Sequence, residues 1–129
     1  KHLELSNLIW SFAKIGEQGR HTKDLFKAGA EEALTRPDDF SVINLSTLVW
    51  AFATARVKHA GLFSLVAERI TANAASAEGQ EIANTAWAFA TAGVVDEKLM
   101  NCLGDEAVRK METLKEQEAA NISWSLGKS

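Results

Sequence analysis

At 129 residues, 47% of them apolar and only one proline, the chain holds one domain's worth of material and enough to build an extensive core. Its formal net charge of −3 excludes a global positive field that would gather nucleic acid or anionic lipid. A single cysteine, Cys102, excludes an internal disulfide framework and a cysteine-based zinc site, and uncharged spans such as Ile82 to Val95 are too short and too rich in polar residues to cross a bilayer.

Taken from the start, the chain repeats itself. Leu5 to Gly16 reads LSNLIWSFAKIG, Leu45 to Arg56 reads LSTLVWAFATAR, Glu81 to Gly93 reads EIANTAWAFATAG, and Ala119 to Ser129 reads AANISWSLGKS. All four tryptophans, Trp10, Trp50, Trp87 and Trp124, fall in one slot, at spacings of 40, 37 and 37 residues. Apolar pairs follow each of the first three: Leu25-Phe26, Leu62-Phe63 and Leu99-Met100. A fixed period of this size is the mark of a solenoid. The three additional residues of the first unit fall in its first loop, between Gly16 and Asp24, so the elements stay in register, as a stacked array demands.

Each unit predicts two helices, and the chain predicts an all-α solenoid of antiparallel helix pairs, a single fragment over 1–129 with repeats at 1–40, 41–77, 78–114 and a partial one at 115–129. The A helices, which carry the tryptophans, are placed at Leu3–Ile15, Ser41–Ala55, Glu78–Ala92 and from Gln117 to the chain end. The B helices are placed at Thr22–Leu34, His59–Ala72 and Asp96–Met111. Thr22 and Ser41 are N-cap types, Asp96-Glu97 puts acid in a first turn, Gly16 and Gly93 suit positions just past a helix end, and Pro37 helps stop the first B helix. The fourth unit has only its A helix, which predicts further chain or a partner over that end. The chain opens at Lys1 inside a repeat and reads as a piece of a longer protein. No targeting segment is visible in it.

A helical wheel centred on each tryptophan, at about 100° per residue, assigns three faces. Offsets −5, −2, −1 and +2 are apolar in the first three copies save for Thr85, and predict the contact with the unit's own B helix. Offsets −4 and +3 are small in every copy (Ser6 and Ala13, Ser46 and Ala53, Ala83 and Ala90, Ala120 and Gly127) and predict close approach of the next unit, with the indole filling the gap. On that reading the rings pack between layers, and Trp87→Ala would open a core cavity costing about 3–5 kcal/mol. Offsets −3, +1 and +4 hold Asn7, Ser11, Lys14; Thr47, Ala51, Thr54; Asn84, Ala88, Thr91; and Asn121, Ser125, Lys128. They predict a polar stripe along one wall, and from −5 to +5 no copy contains an acid although the chain has seventeen. Asn and Thr can hydrogen-bond base edges, and Lys14 and Lys128 can reach phosphate. Arg56, Lys58 and His59 form a basic turn at one edge, and Arg20, His21 and Lys23 a second in the enlarged first loop; both suit phosphate and both suit a solvated loop.

The run A-N-T-A-W-A-F-A-T-A-G resembles the octotricopeptide and heptatricopeptide repeats of organellar RNA-binding proteins, a family often associated with a RAP domain, which is not present here. The resemblance implies a right-handed α-solenoid that binds single-stranded or ribosomal RNA in a mitochondrion or plastid, with contacts along the inner A-helix wall. The candidate RNA-binding set is then Asn7, Ser11, Lys14, Thr47, Thr54, Arg56, Lys58, Asn84, Thr91, Asn121, Ser125 and Lys128. No catalytic residue, metal site or cofactor is expected. Cys102 reads as a small apolar group, the three histidines lack ligand spacing, and no phosphate loop or nucleophile motif occurs. The rival expectation is a protein-binding scaffold, without RNA contact, inside a larger organellar complex. RNA binding would weaken steeply with salt and a peptide in an apolar groove far less.

Overall fold

The computed structural model describes residues 2–15 and 20–128; the side chains of His2, Leu3, Glu4, Phe12, Ile15 and Arg20 lie outside the described set. Seven α-helices occur among the described residues: α1 (His2–Ile15), α2 (Arg20–Thr35), α3 (Val42–Ala55), α4 (Ala60–Ala72), α5 (Gly79–Ala92), α6 (Glu97–Arg109) and α7 (Glu116–Lys128). Single 3-10 turns at Pro37–Asp39, Ala74–Ser76 and Met111–Thr113 return the chain from each B helix to the next A helix. This is the expected α-solenoid. Helices α1, α3, α5 and α7 form one layer, and α2, α4 and α6 the other.

The ends are set by local chemistry. Ser41 caps α3: its hydroxyl accepts the Asn44 N–H while Asn44 Oδ1 accepts the Ser41 N–H, both at 3.1 Å. Asp96 caps α6 by accepting the Leu99 N–H at 3.0 Å, and His59 caps α4 by accepting the Leu62 N–H at 3.0 Å through Nδ1. Thr22 is not a cap; α2 starts two residues earlier and Thr22 is buried in its first turn. The C-terminal caps of α3 and α5 are left-handed, at Arg56 (φ 60°) and Gly93 (φ 72°). Glycine occupies this conformation freely, whereas a residue with a Cβ is strained by roughly 1–2 kcal/mol. Arg56→Gly should therefore raise stability by about 1 kcal/mol in a urea titration.

Burial reveals a polarity within the A layer. At offsets −4 and +3, Ser6, Ala13, Ser46, Ala53 and Ala83 are buried, but Ala120 and Gly127 on the last helix are exposed. At offset +1 the pattern reverses: Ser11 on the first helix is exposed, while Ala51, Ala88 and Ser125 are fully buried. The −4/+3 face thus looks toward the following A helix and the +1 face toward the preceding one. Small residues meet small residues, so A helices lie closely along one another, far more extensively than the B helices do.

The deeper core is apolar and aromatic. Phe52 meets Phe26 edge to face with centroids 4.9 Å apart, and Phe63 meets Phe89 likewise at 5.0 Å. Cations on the B helices fasten each layer to the one before. Arg69 Nη1 lies 2.6 Å from Asp38 Oδ1, and Lys110 Nζ donates to the carbonyls of Ala75 and Ala77 while facing the buried Glu106 carboxylate.

Candidate nucleic-acid interface

An A helix enclosed by its own B helix and by two A neighbours keeps only a narrow strip open. On the wheel, offsets −7, −3, 0 and +4 fall within about 60° of one another, and these remain at least partly accessible. The strip reads Ile43, Thr47, Trp50, Thr54 on α3; Gln80, Asn84, Trp87, Thr91 on α5; and Gln117, Asn121, Trp124, Lys128 on α7, with Asn7, Trp10 and Lys14 on α1. It contains no acid in any copy. The nearest acids, at offset −6, are occupied at the helix starts: Glu81 accepts the Glu78 N–H and Glu118 the Lys115 N–H, both at 2.9 Å. On the opposite layer Glu31, Glu68 and Asp105 form an exposed acidic row, one per repeat. The strip itself is free of acid, but the two layers do not differ in sign, since the B helices also expose Lys23, Lys27, Lys98 and Arg109.

The structure redistributes the expected site residues. Asn7, Lys14, Thr91 and Lys128 are exposed on the wall, and Thr47, Asn84 and Asn121 are half-buried there. Gln117 donates to Asn121 Oδ1 at 3.2 Å, which ties that amide's acceptor to its own helix. Ser125 does not belong to the wall. It is fully buried against the preceding A helix and its hydroxyl donates to the Asn121 carbonyl at 2.7 Å. Ser11 occupies the same slot on α1, where it is exposed, and its hydroxyl donates to the Asn7 carbonyl at 2.9 Å. Thr54 is half-buried with Oγ1 turned inward, where it meets no hydrogen-bond partner among the described residues. Arg56 and Lys58 are exposed at the edge beside the +4 row. His59 leaves the basic turn: it caps α4 and packs edge-on to Phe52. His21 and Lys23 are exposed in the first turn of α2, not in a loop.

The largest correction concerns the indoles, which are not hidden between layers. Trp50 and Trp87 are half-buried, Trp10 is 37% exposed and Trp124 48%. They form a ladder in the middle of the strip. Trp10 and Trp50 have centroids 5.8 Å apart at 30°, and Trp50 and Trp87 6.1 Å apart at 35°. Lys14 Nζ sits 4.8 Å over the Trp10 ring and Lys128 Nζ 5.5 Å over Trp124. Trp87→Ala should accordingly cost less than the roughly 3–5 kcal/mol of an enclosed ring. The helical wheel did place the tryptophan at the edge of its arc, which was the available sign of this exposure.

Other chemistry is sparse. Among the described residues no group of three or more His, Cys, Asp or Glu is placed to hold a metal ion, and no helix is long and apolar enough to cross a membrane. Cys102 is half-buried on α6, and burial together with the Glu106 and Asp105 carboxylates pushes its thiol pKa above the ordinary value. An open groove of about 890 Å³ lies between the C-terminal ends of α5 and α7 and helix α6, with Phe89, Val94, Met100 and Leu126 on its walls.

A family model described as RESC6, RNA-editing substrate-binding complex 6 protein, matches residues 1–129. The chain belongs to that family. A search of curated proteins finds no match. Membership in the RESC6 family replaces the octotricopeptide and heptatricopeptide assignment, and the ribosome and plastid that the earlier resemblance implied find no support in it. The physical reason is plain in the packing. Alanine and serine at −4, +1 and +3 with one aromatic per layer are what closely stacked A helices require, so the motif reports a packing solution and not a single family. RNA metabolism within a larger complex, by contrast, comes with the RESC6 family.

Proposed function

We propose that the chain is a non-catalytic module of a mitochondrial RNA-editing complex that holds single-stranded RNA along its A-helix wall. The observation that carries this reading is the acid-free strip with its indole ladder, in a molecule of net charge −3. Bases meet the ladder and the Asn7, Thr47, Asn84 row, while Lys14, Lys128, Arg56 and Lys58 take phosphates. Arg56 supports the assignment because it keeps a charged side chain in a left-handed cap that Gly93 fills in the next repeat.

Four phosphate contacts to a single strand give a slope of log affinity against log salt near −3, or a loss of about 50-fold between roughly 50 and 200 mM. Replacing Arg56 and Lys58 together by Gln should lower affinity and flatten that slope by about 1.4. An unchanged slope removes the basic edge from the interface.

One observation favours a second reading. The groove beside α6 and α7 sets Phe89, Val94, Met100 and Leu126 among Asp96, Glu97, Asp105 and Lys128, and a partner helix seated there would make the chain a scaffold within the complex. Acids on its rim would favour a basic partner and disfavour RNA.

A further inference from the structure

We infer that the wall binds unpaired RNA by stacking bases on the exposed parts of the tryptophan ladder, and therefore tolerates any base sequence. This deepens the proposed function, on which it rests, by naming both the ligand class and the residues that supply the affinity.

The argument begins with what the polar rows have left to offer. Reading base identity takes free donors and acceptors on the surface in each repeat. Ser11 and Ser125 donate to backbone carbonyls of their own helices, and Ser125 is buried. Thr54 Oγ1 is turned inward, and Asn121 Oδ1 accepts from Gln117. What every repeat keeps is a single amide or hydroxyl at offset −3, exposed at Asn7 and half-buried at Thr47, Asn84 and Asn121, fewer than the two or three side chains that read a base in helical repeats. The indoles do recur in every repeat. They share one slot and stay partly accessible, and three of them stand in continuous contact at 5.8 and 6.1 Å. Every base has a π-face, so a row of aromatic rings binds a strand without selecting its sequence. A duplex offers no free faces and is excluded. The cations complete the fit. Lys14 and Lys128 lie over the Trp10 and Trp124 rings, so a base stacking on that face displaces the ammonium, which is then within reach of the adjoining phosphate.

The test uses the full chain with single-stranded oligoadenylate and oligouridylate, each of about 12 nucleotides, and an RNA duplex as control. Both single strands should quench the tryptophan fluorescence and bind within about tenfold of each other, with the duplex far weaker. Trp50→Leu should weaken binding about tenfold without altering the salt slope, and Trp50→Phe should restore most of the loss. Thermal melts of both variants separate this from unfolding, because a Leu variant that melts with the parent but has lost affinity has lost a contact to the strand. A folded Trp50→Leu variant that binds within twofold of the parent overturns the inference and leaves the proposed function standing. So does a preference between the two strands above a hundredfold. If the parent binds neither strand at about 50 mM salt, the proposed function falls and this inference with it. Quenching by a partner protein of the complex, with no response to RNA, decides for the scaffold.

Discussion

Phe52→Ala is expected to lower the unfolding free energy by about 3–5 kcal/mol, the largest loss at any single position considered for this chain. The ring is fully buried. It lies edge to face with Phe26 at 79° and with His59 at 86°, so it joins the first repeat's B helix to the cap of the second. Truncation removes the transfer energy of the ring, leaves a cavity walled by three helices, and deletes an aromatic pair worth about 0.5–1.5 kcal/mol. The His59 cap loses its packing surface as well. Urea unfolding followed by circular dichroism measures the effect. A cost within about 0.5 kcal/mol, the range of ordinary surface substitutions, would mean that the repeats do not share a core at this point.

Ala88→Leu is expected to cost about 1–3 kcal/mol for the opposite reason, too much side chain where none fits. Ala88 is fully buried on the face of α5 that looks back toward α3, where Ser46 and Ala53 are also buried. A branched side chain there forces the two A helices apart and pulls the indoles out of contact, so the change should also alter the tryptophan fluorescence. The chain supplies its own control. Ser11 occupies the same slot on α1 and is exposed, so Ser11→Leu should stay within about 0.5 kcal/mol of the parent. Equal effects at both positions would refute the assigned polarity of the layer.

That polarity marks where the sequence stopped being informative. The period, the helix pairs and the apolar arc toward each B helix were readable because Trp10, Trp50, Trp87 and Trp124 hold one register and the apolar offsets repeat with them. A wheel gives angles about an axis, but not which angles a distant helix will cover. Ala51 and Ala88 looked like neutral members of a polar stripe, yet they are contact residues. Ser11 and Ser125 share a slot and meet opposite fates because one faces water and the other faces α5. Two features had unused signals. Arg56 aligns with Gly93, which flags a left-handed cap, and His59 aligns with Asp96, which flags a helix start. The exposure of the ladder had only the tryptophan's place at the edge of the apolar arc as a sign, and a large ring beside small residues suits burial and display equally well.

The ties made by Arg69 and Lys110 give the stack a direction along the chain. Each links a residue to a partner 31 to 35 positions earlier, always the B helix of one layer to the return turn of the layer behind it. The return turn of one repeat is thus tied where the B helix of the next stands beside it. Substituting Arg69 or Lys110 should therefore loosen the turn behind it and leave the helices of its own repeat in place.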